Sequence, residues 1–344
     1  MAVFTAIDDA EAYFQAKTYT GDGSTPSITF DGDTDMQPDL VWYKSRSNAY
    51  SHGLFDVLRG ASEQLYAEDT AAEATYSGVS SFDSDGFTLG TDAGGNENSA
   101  TYVAWCWKAN GAGSSNTDGS ITSTVSANTT AGFSIVKWTG DDSTATIGHG
   151  LGAVPKMIIT KRYDASGNWF TYHHSLGNTK YILLEATDAE ATSSNAWNDT
   201  SPTSSVFTKA SATNIDTGTY IAYCFAEKQG HSKIGSFIGN GDADGPFVYT
   251  GFRPAFLIVK RSSASGNNWL ILDNKRDPIN QMVLGLFPDT TNIEASGYYW
   301  DFTSNGFKVR TGGPGENASD STFIYMAFAE SPLVNSNGVP TNAR

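Results

Sequence analysis

Asp31-Gly-Asp33-Thr-Asp35 sets three carboxylates at alternate positions, the pattern that opens a calcium-binding loop. Such a loop needs glycine at its sixth place and a bidentate glutamate at its twelfth. Met36 and Trp42 stand there instead, and the triplet does not recur, so these residues read as a solvated hairpin turn. Five histidines, His52, His149, His173, His174 and His231, are the other candidates for a base or a metal ligand. His173 falls where two sibling segments carry Asp56 and Asp273. A place that accepts either Asp or His suits a hydrogen-bonding strand residue better than a catalytic one. No serine sits in a Gly-x-Ser-x-Gly elbow, and no glycine-rich phosphate loop opens a helix. Two cysteines, Cys106 and Cys224, are too few for structural zinc and read as small core residues. The expectation is a non-enzymatic chain with no catalytic residue, no metal and no cofactor.

The more suggestive side chains are aromatic. Trp197 lies in Asn195-Ala-Trp-Asn-Asp199, and Tyr298, Tyr299 and Trp300 lie in the matching loop further on. Exposed aromatic faces beside Asn and Asp suit sugar rings, whose C–H faces stack while their hydroxyls hydrogen-bond. These four are the candidate glycan contacts; the competing reading has the rings capping a core. A glycan depolymerase stays as an alternative, because the carboxylate separation that marks one is a three-dimensional property.

What must position these residues is a threefold internal repeat with a spacing of roughly 100 to 120 residues. An apolar run opens on Pro38, Pro155 and Pro254 and closes on Lys44, Lys161 and Lys260. A short strand starts at Phe87, Phe207 and Phe307, and a last strand is built around Ala104, Ala222 and Ala327. On this alignment Ala329 matches Cys106 and Cys224. Each repeat opens on an aromatic and a glycine turn, at Gly21, Gly140 and Gly239, with glycine read as supplying a positive φ. The Pro-to-Lys runs are apolar on both faces, as central strands are. The fold expectation is all-β: three tandem antiparallel sandwich- or barrel-like modules with a short N-terminal helix, signalled by Asp8 and Glu11. The expected divisions are an arm over 1–18, repeats over 19–108, 132–230 and 231–330, a Gly/Ser/Thr linker over 109–131 and a tail over 331–344. The linker's first half is flexible by composition, its second half suits an edge strand, and repeats two and three form the more rigid pair.

Charged residues make up only 17% of the chain, with Ser, Thr, Asn and Gly between the apolar runs, the composition of a turn-rich β protein. The net charge of −16 argues against nucleic acid and anionic lipid as partners. No apolar stretch approaches a transmembrane helix, and Met1–Asp8 lacks a secretory signal's regions, which implies synthesis in the cytoplasm.

Several stretches resemble a family. Ser51-His-Gly-Leu-Phe-Asp-Val-Leu-Arg-Gly60, Ser81-Phe-Asp-Ser-Asp-Gly-Phe-Thr-Leu-Gly90 and Gly119–Val136 resemble virion proteins of marine, cyanophage-like bacteriophages. Ser194–Pro202 and most of the remaining chain extend the resemblance. It implies a virion structural protein, a tail or capsid-surface appendage acting in assembly. It implies partners among other virion proteins and copies of itself, with host-surface glycan a candidate ligand, and a location in the virion. A capsid decoration or adaptor without ligand is the alternative. The resemblance carries no catalytic residue.

Overall fold

The computed structural model describes residues 5–215 and 217–341, and their regular structure is nearly all antiparallel sheet. One strand order recurs three times. In the first repeat Phe14–Thr20 pairs with Thr101–Trp107, which pairs with Leu40–Ser45 and then Gly53–Asp56. In the second, Phe133–Thr139, Thr219–Phe225, Met157–Arg162 and Phe170–His173 follow in the same order. In the third, Ser232–Ile238, Thr322–Pro332, Phe252–Arg261 and Leu270–Asp273 do so. A small sheet carrying Phe87, Phe207 or Phe307 covers one face of each large sheet, and the apolar side chains between the two layers form a local core.

The opposite face of all three large sheets meets in one shared core. Trp42, Trp105 and Trp107 pack there with Ile159, Tyr223 and Phe225 and with Phe256, Ile258 and Phe328. Both faces of each Pro-to-Lys strand are therefore buried, which is why these runs are apolar throughout. The repeats are not independent beads. Residues 109–131, read as a linker, instead carry Ser114–Asn116 and Ser123–Asn128, which extend the second large sheet. The second half does form a strand, but an interior one paired on both sides; the edge strand is Ser114–Asn116, in the half read as flexible. Nor are repeats two and three a privileged pair, since the first joins the same core.

Three cyclic sets of hydrogen bonds close this arrangement. The Glu73 N–H donates to the Tyr163 carbonyl at 2.8 Å, Glu190 to Ser262 at 2.9 Å, and Glu294 to Arg46 at 2.9 Å, linking first to second, second to third and third to first. His52 Nε2–H reaches the Phe287 carbonyl at 2.9 Å, Trp169 Nε1–H reaches Tyr66 at 2.8 Å, and Trp269 Nε1–H reaches Leu183 at 2.9 Å. The third set contains His173 and belongs with the site below.

Register corrects the alignment of the last strand. Tyr19 stacks on Tyr102 at 5.1 Å between centroids, Trp138 on Tyr220 at 5.1 Å, and Phe237 on Phe323 at 5.0 Å. Phe323 rather than Tyr325 is thus the partner of Tyr102 and Tyr220. Ala327 faces Leu257 as Cys106 faces Val41 and Cys224 faces Ile158, so Ala327 answers to the cysteines, and Tyr325 to Ala104 and Ala222. A slip of two keeps every side chain on its own face, so alternation alone does not reveal it.

Two further expectations give way. The N-terminal helix is a single turn, with Phe14 N–H donating to the Ala10 carbonyl, after which the chain enters its first strand. Asp8 binds Ser336 instead of capping, and Phe14 packs on Trp107, Phe256 and Phe328, a gain that outweighs local helical preference. Gly21, Gly140 and Gly239 do not take positive φ. A Cβ at each would lie 2.3 Å from the carbonyl oxygen of Glu97, Ile215 and Ala318 respectively, so close backbone approach requires glycine there. Of the tail read as 331–344, residues 342–344 lie outside the described residues, and the rest is tied down: the last strand runs through Pro332, and Leu333 N–H donates to the Gly251 carbonyl. No helix among the described residues is long and apolar enough to cross a membrane.

Candidate functional site

Polar groups that recur in all three repeats are explained by the fold. Trp105 Nε1–H donates to Asp273 at 2.9 Å, and the Tyr223 hydroxyl donates to Asp56 at 2.9 Å, each across a repeat boundary. The third repeat offers Met326 at the equivalent place, which has no donor. His173 answers this by turning Nε2–H to the Tyr325 carbonyl at 3.2 Å, while its Nδ1 accepts from Ser175 N–H. The Asp-to-His exchange follows from its partner. It is matched three residues on: the buried Asp56 and Asp273 carboxylates pair with Arg59 at 2.6 Å and Arg276 at 2.5 Å, whereas His173 is followed by Leu176. Burial holds the His52 and His173 imidazoles down at about 3, so both are neutral at pH 7.

The lysines that end the central strands are also structural. Lys161 and Lys260 donate to the Thr70 and Ala186 carbonyls of the preceding repeat, and Lys44 to Ser45 and Asn48. Burial lowers all three to about 8. Asp31, first of the three spaced carboxylates, pairs with Lys17 and Lys275. Among the described residues no cluster of His, Cys, Asp and Glu could hold a metal ion. Cys106 and Cys224 are free and buried in separate local cores.

The four candidate glycan contacts are not brought together. Trp197 and Trp300 are buried in the second and third local cores and cannot offer a ring face to a sugar, so they are withdrawn as contacts. They cap those cores, the competing sequence reading. Tyr298 is half-buried against Phe287, and Tyr299 is exposed. Tyr249, which sequence reasoning missed, is the most exposed aromatic ring among the described residues, at 59%.

One feature does not recur. At the second position after the repeat phenylalanine stand Leu89 and Val309, both in local cores, but in the second repeat it is Lys209. Its side chain is 1% exposed. The facing pair on the large sheet is Tyr43 with Ala104 in the first repeat and Val259 with Tyr325 in the third. In the second it is Thr160 with Ala222, so neither partner supplies a large ring. A cavity of about 170 Å³ lies beside it, lined by Thr160, Arg162, Asn168, Phe170, Lys209 and Tyr220. The Lys209 ammonium lies 4.6 Å from the centre of the Trp197 ring and 5.1 Å from that of Phe170, and its hydrogen bond to Thr160 Oγ1 is long, at 3.4 Å. Burial lowers its pKa to about 7, and no carboxylate partner stands beside it among the described residues. Arg162, at the mouth, is held by Asp164 at 2.9 Å. The sequence signal was present: a lysine where both sibling repeats place an aliphatic residue.

A family model described as a domain of unknown function (DUF7483) matches residues 9–332, so the chain belongs to that family. No curated protein matches, and no solved structure matches.

Proposed function

We propose that this DUF7483 family member is a non-enzymatic virion structural protein, a stiff appendage on a phage tail or capsid surface that contacts other virion proteins and copies of itself. The observation that carries the reading is the cyclic closure. Glu73–Tyr163, Glu190–Ser262 and Glu294–Arg46 tie each repeat to the next and the last to the first around one core. A body locked in this way holds its outer loops at fixed spacing, which suits repeated weak contacts on a particle that displays many copies. The resemblance of the Ser51–Gly60 and Ser81–Gly90 stretches to virion proteins points the same way. The exposed Tyr249 and Tyr299 rings are the surfaces open to host glycan in this reading.

Purified phage particles encoding this chain test the proposal by peptide mass spectrometry and by cryo-electron microscopy of the particle. The expected result is a fixed stoichiometry with the appropriate density on the tail or shell. Particles that lack the chain altogether would overturn it.

A further inference from the structure

We propose that the cavity above Lys209 is a binding site for a sugar acid, with the ligand carboxylate on the Lys209 ammonium and the sugar ring against Phe170 and Tyr220. The geometry carries this. The ammonium has only one hydroxyl at 3.4 Å and two aromatic faces, so its remaining N–H donors have no acceptor among the described residues. A buried donor left in that state is costly, and it lines the cavity. An entering carboxylate supplies the missing acceptor in a charge-assisted contact. The cavity, at about 170 Å³, exceeds the ~150 Å³ that accommodates benzene in an engineered protein core, so a six-membered ring fits. Phe170 and Tyr220 line the cavity with ring carbon that C–H groups can meet, and Asn168, Ser166 and Thr213 offer polar atoms for hydroxyls.

The sibling repeats act as controls. Where Leu89 and Val309 replace the lysine, Tyr43 or Tyr325 fills the facing position. The third repeat also has an open pocket at the matching place, about 180 Å³ and lined by Asn267, Asn268, Leu270 and Glu316, so the second repeat is set apart by its buried lysine and not by open space alone. The inference deepens the host-glycan part of the reading above and rests on it only for the choice of a sugar; a chain absent from particles and a chain that binds no sugar acid are separate failures.

The test is calorimetric titration of the full chain at pH 6.5 with D-glucuronate and D-galacturonate, against D-glucose, D-galactose and acetate. Saturable binding of at least one uronate is expected, with the neutral sugars and acetate at least tenfold weaker. Lys209→Met should lose tenfold or more, and it should fold, since the siblings carry aliphatic residues there. Ala212→Trp places its ring at the exposed rim, leaves Lys209 intact and should lose as much. Arg162 and Asp164 keep their charges across pH 6.5 to 9, and Tyr220 and Tyr172 stay neutral, their pKa values being raised. Affinity should then fall about tenfold per pH unit above 7.5, as Lys209 loses its proton. Three results would each overturn the proposal: no uronate binding, equal binding of the neutral sugars or acetate, or undiminished binding by a folded Lys209→Met chain.

Discussion

Replacing Lys209 with methionine should make the protein more stable, by an amount that depends on pH. The side chain is buried between Trp197 and Phe170 with no carboxylate beside it among the described residues, and its pKa falls from 10.5 to about 7. Between those values the unfolded chain holds a proton that the folded chain does not, so wild-type stability rises with pH through the window. The deficit is complete below about pH 7 and gone above about pH 10.5. At 1.36 kcal/mol per unit, the shift corresponds to about 5 kcal/mol at pH 6 and about 1 kcal/mol at pH 10. Unfolding entropy near 2.1 cal/mol/K per residue makes that roughly 7 °C and 1 °C in Tm for a chain of this length. Methionine adds an apolar contact of similar length at both pH values, and every other titrating group cancels in the difference between variant and wild type. Circular-dichroism melts at pH 6, 8 and 10 measure it. A difference that stays constant across the series, or a wild type more stable than the variant at pH 6, would refute the reasoning.

Arg276→Leu leaves the Asp273 carboxylate buried without its guanidinium and should cost about 3–5 kcal/mol in urea denaturation. Adding Asp273→Asn to that variant removes the unpaired charge while keeping an oxygen acceptor for Trp105 Nε1–H, and should recover more than half of the loss. Gly86 has φ of 109°, and a Cβ there would lie 2.0 Å from the Ile28 carbonyl oxygen, so Gly86→Ala should destabilise by about 2 kcal/mol or more. Both thiols should be silent to Ellman's reagent in the native state and fully reactive in guanidinium, because burial raises each pKa and blocks access. A thiol that reacts rapidly under native conditions would contradict its placement.

The parts of the fold legible in the sequence are those written in short periods. Apolar runs from Pro38, Pro155 and Pro254 gave central strands because burial on both faces leaves no polar alternation. The two-residue slip at Ala327 escaped because it preserves facing, and only cross-strand stacking of Phe237 on Phe323 resolves it. Trp197 and Trp300 looked like surface rings because they sit among Asn, Asp, Gly and Tyr, yet their depth depends on residues far along the chain, Tyr172 and Phe237. The shared core was hidden for the same reason: Trp105–Asp273 spans about half of the sequence. Lys209 was overlooked because a lone lysine ordinarily denotes solvent, and its meaning comes only from comparison with Leu89 and Val309.

Because the hydrogen bonds from the Glu73, Glu190 and Glu294 amides to their acceptors run in one sense and meet themselves, the number of units is fixed. Two would leave an open flank, and a fourth would find no vacancy, unlike a solenoid that lengthens freely. Three separate copies of one ancestral unit could satisfy the same geometry, but they would all have to carry the same residues. Joined in a single polypeptide, one sector is free to exchange a leucine for a lysine while its two neighbours keep the body intact.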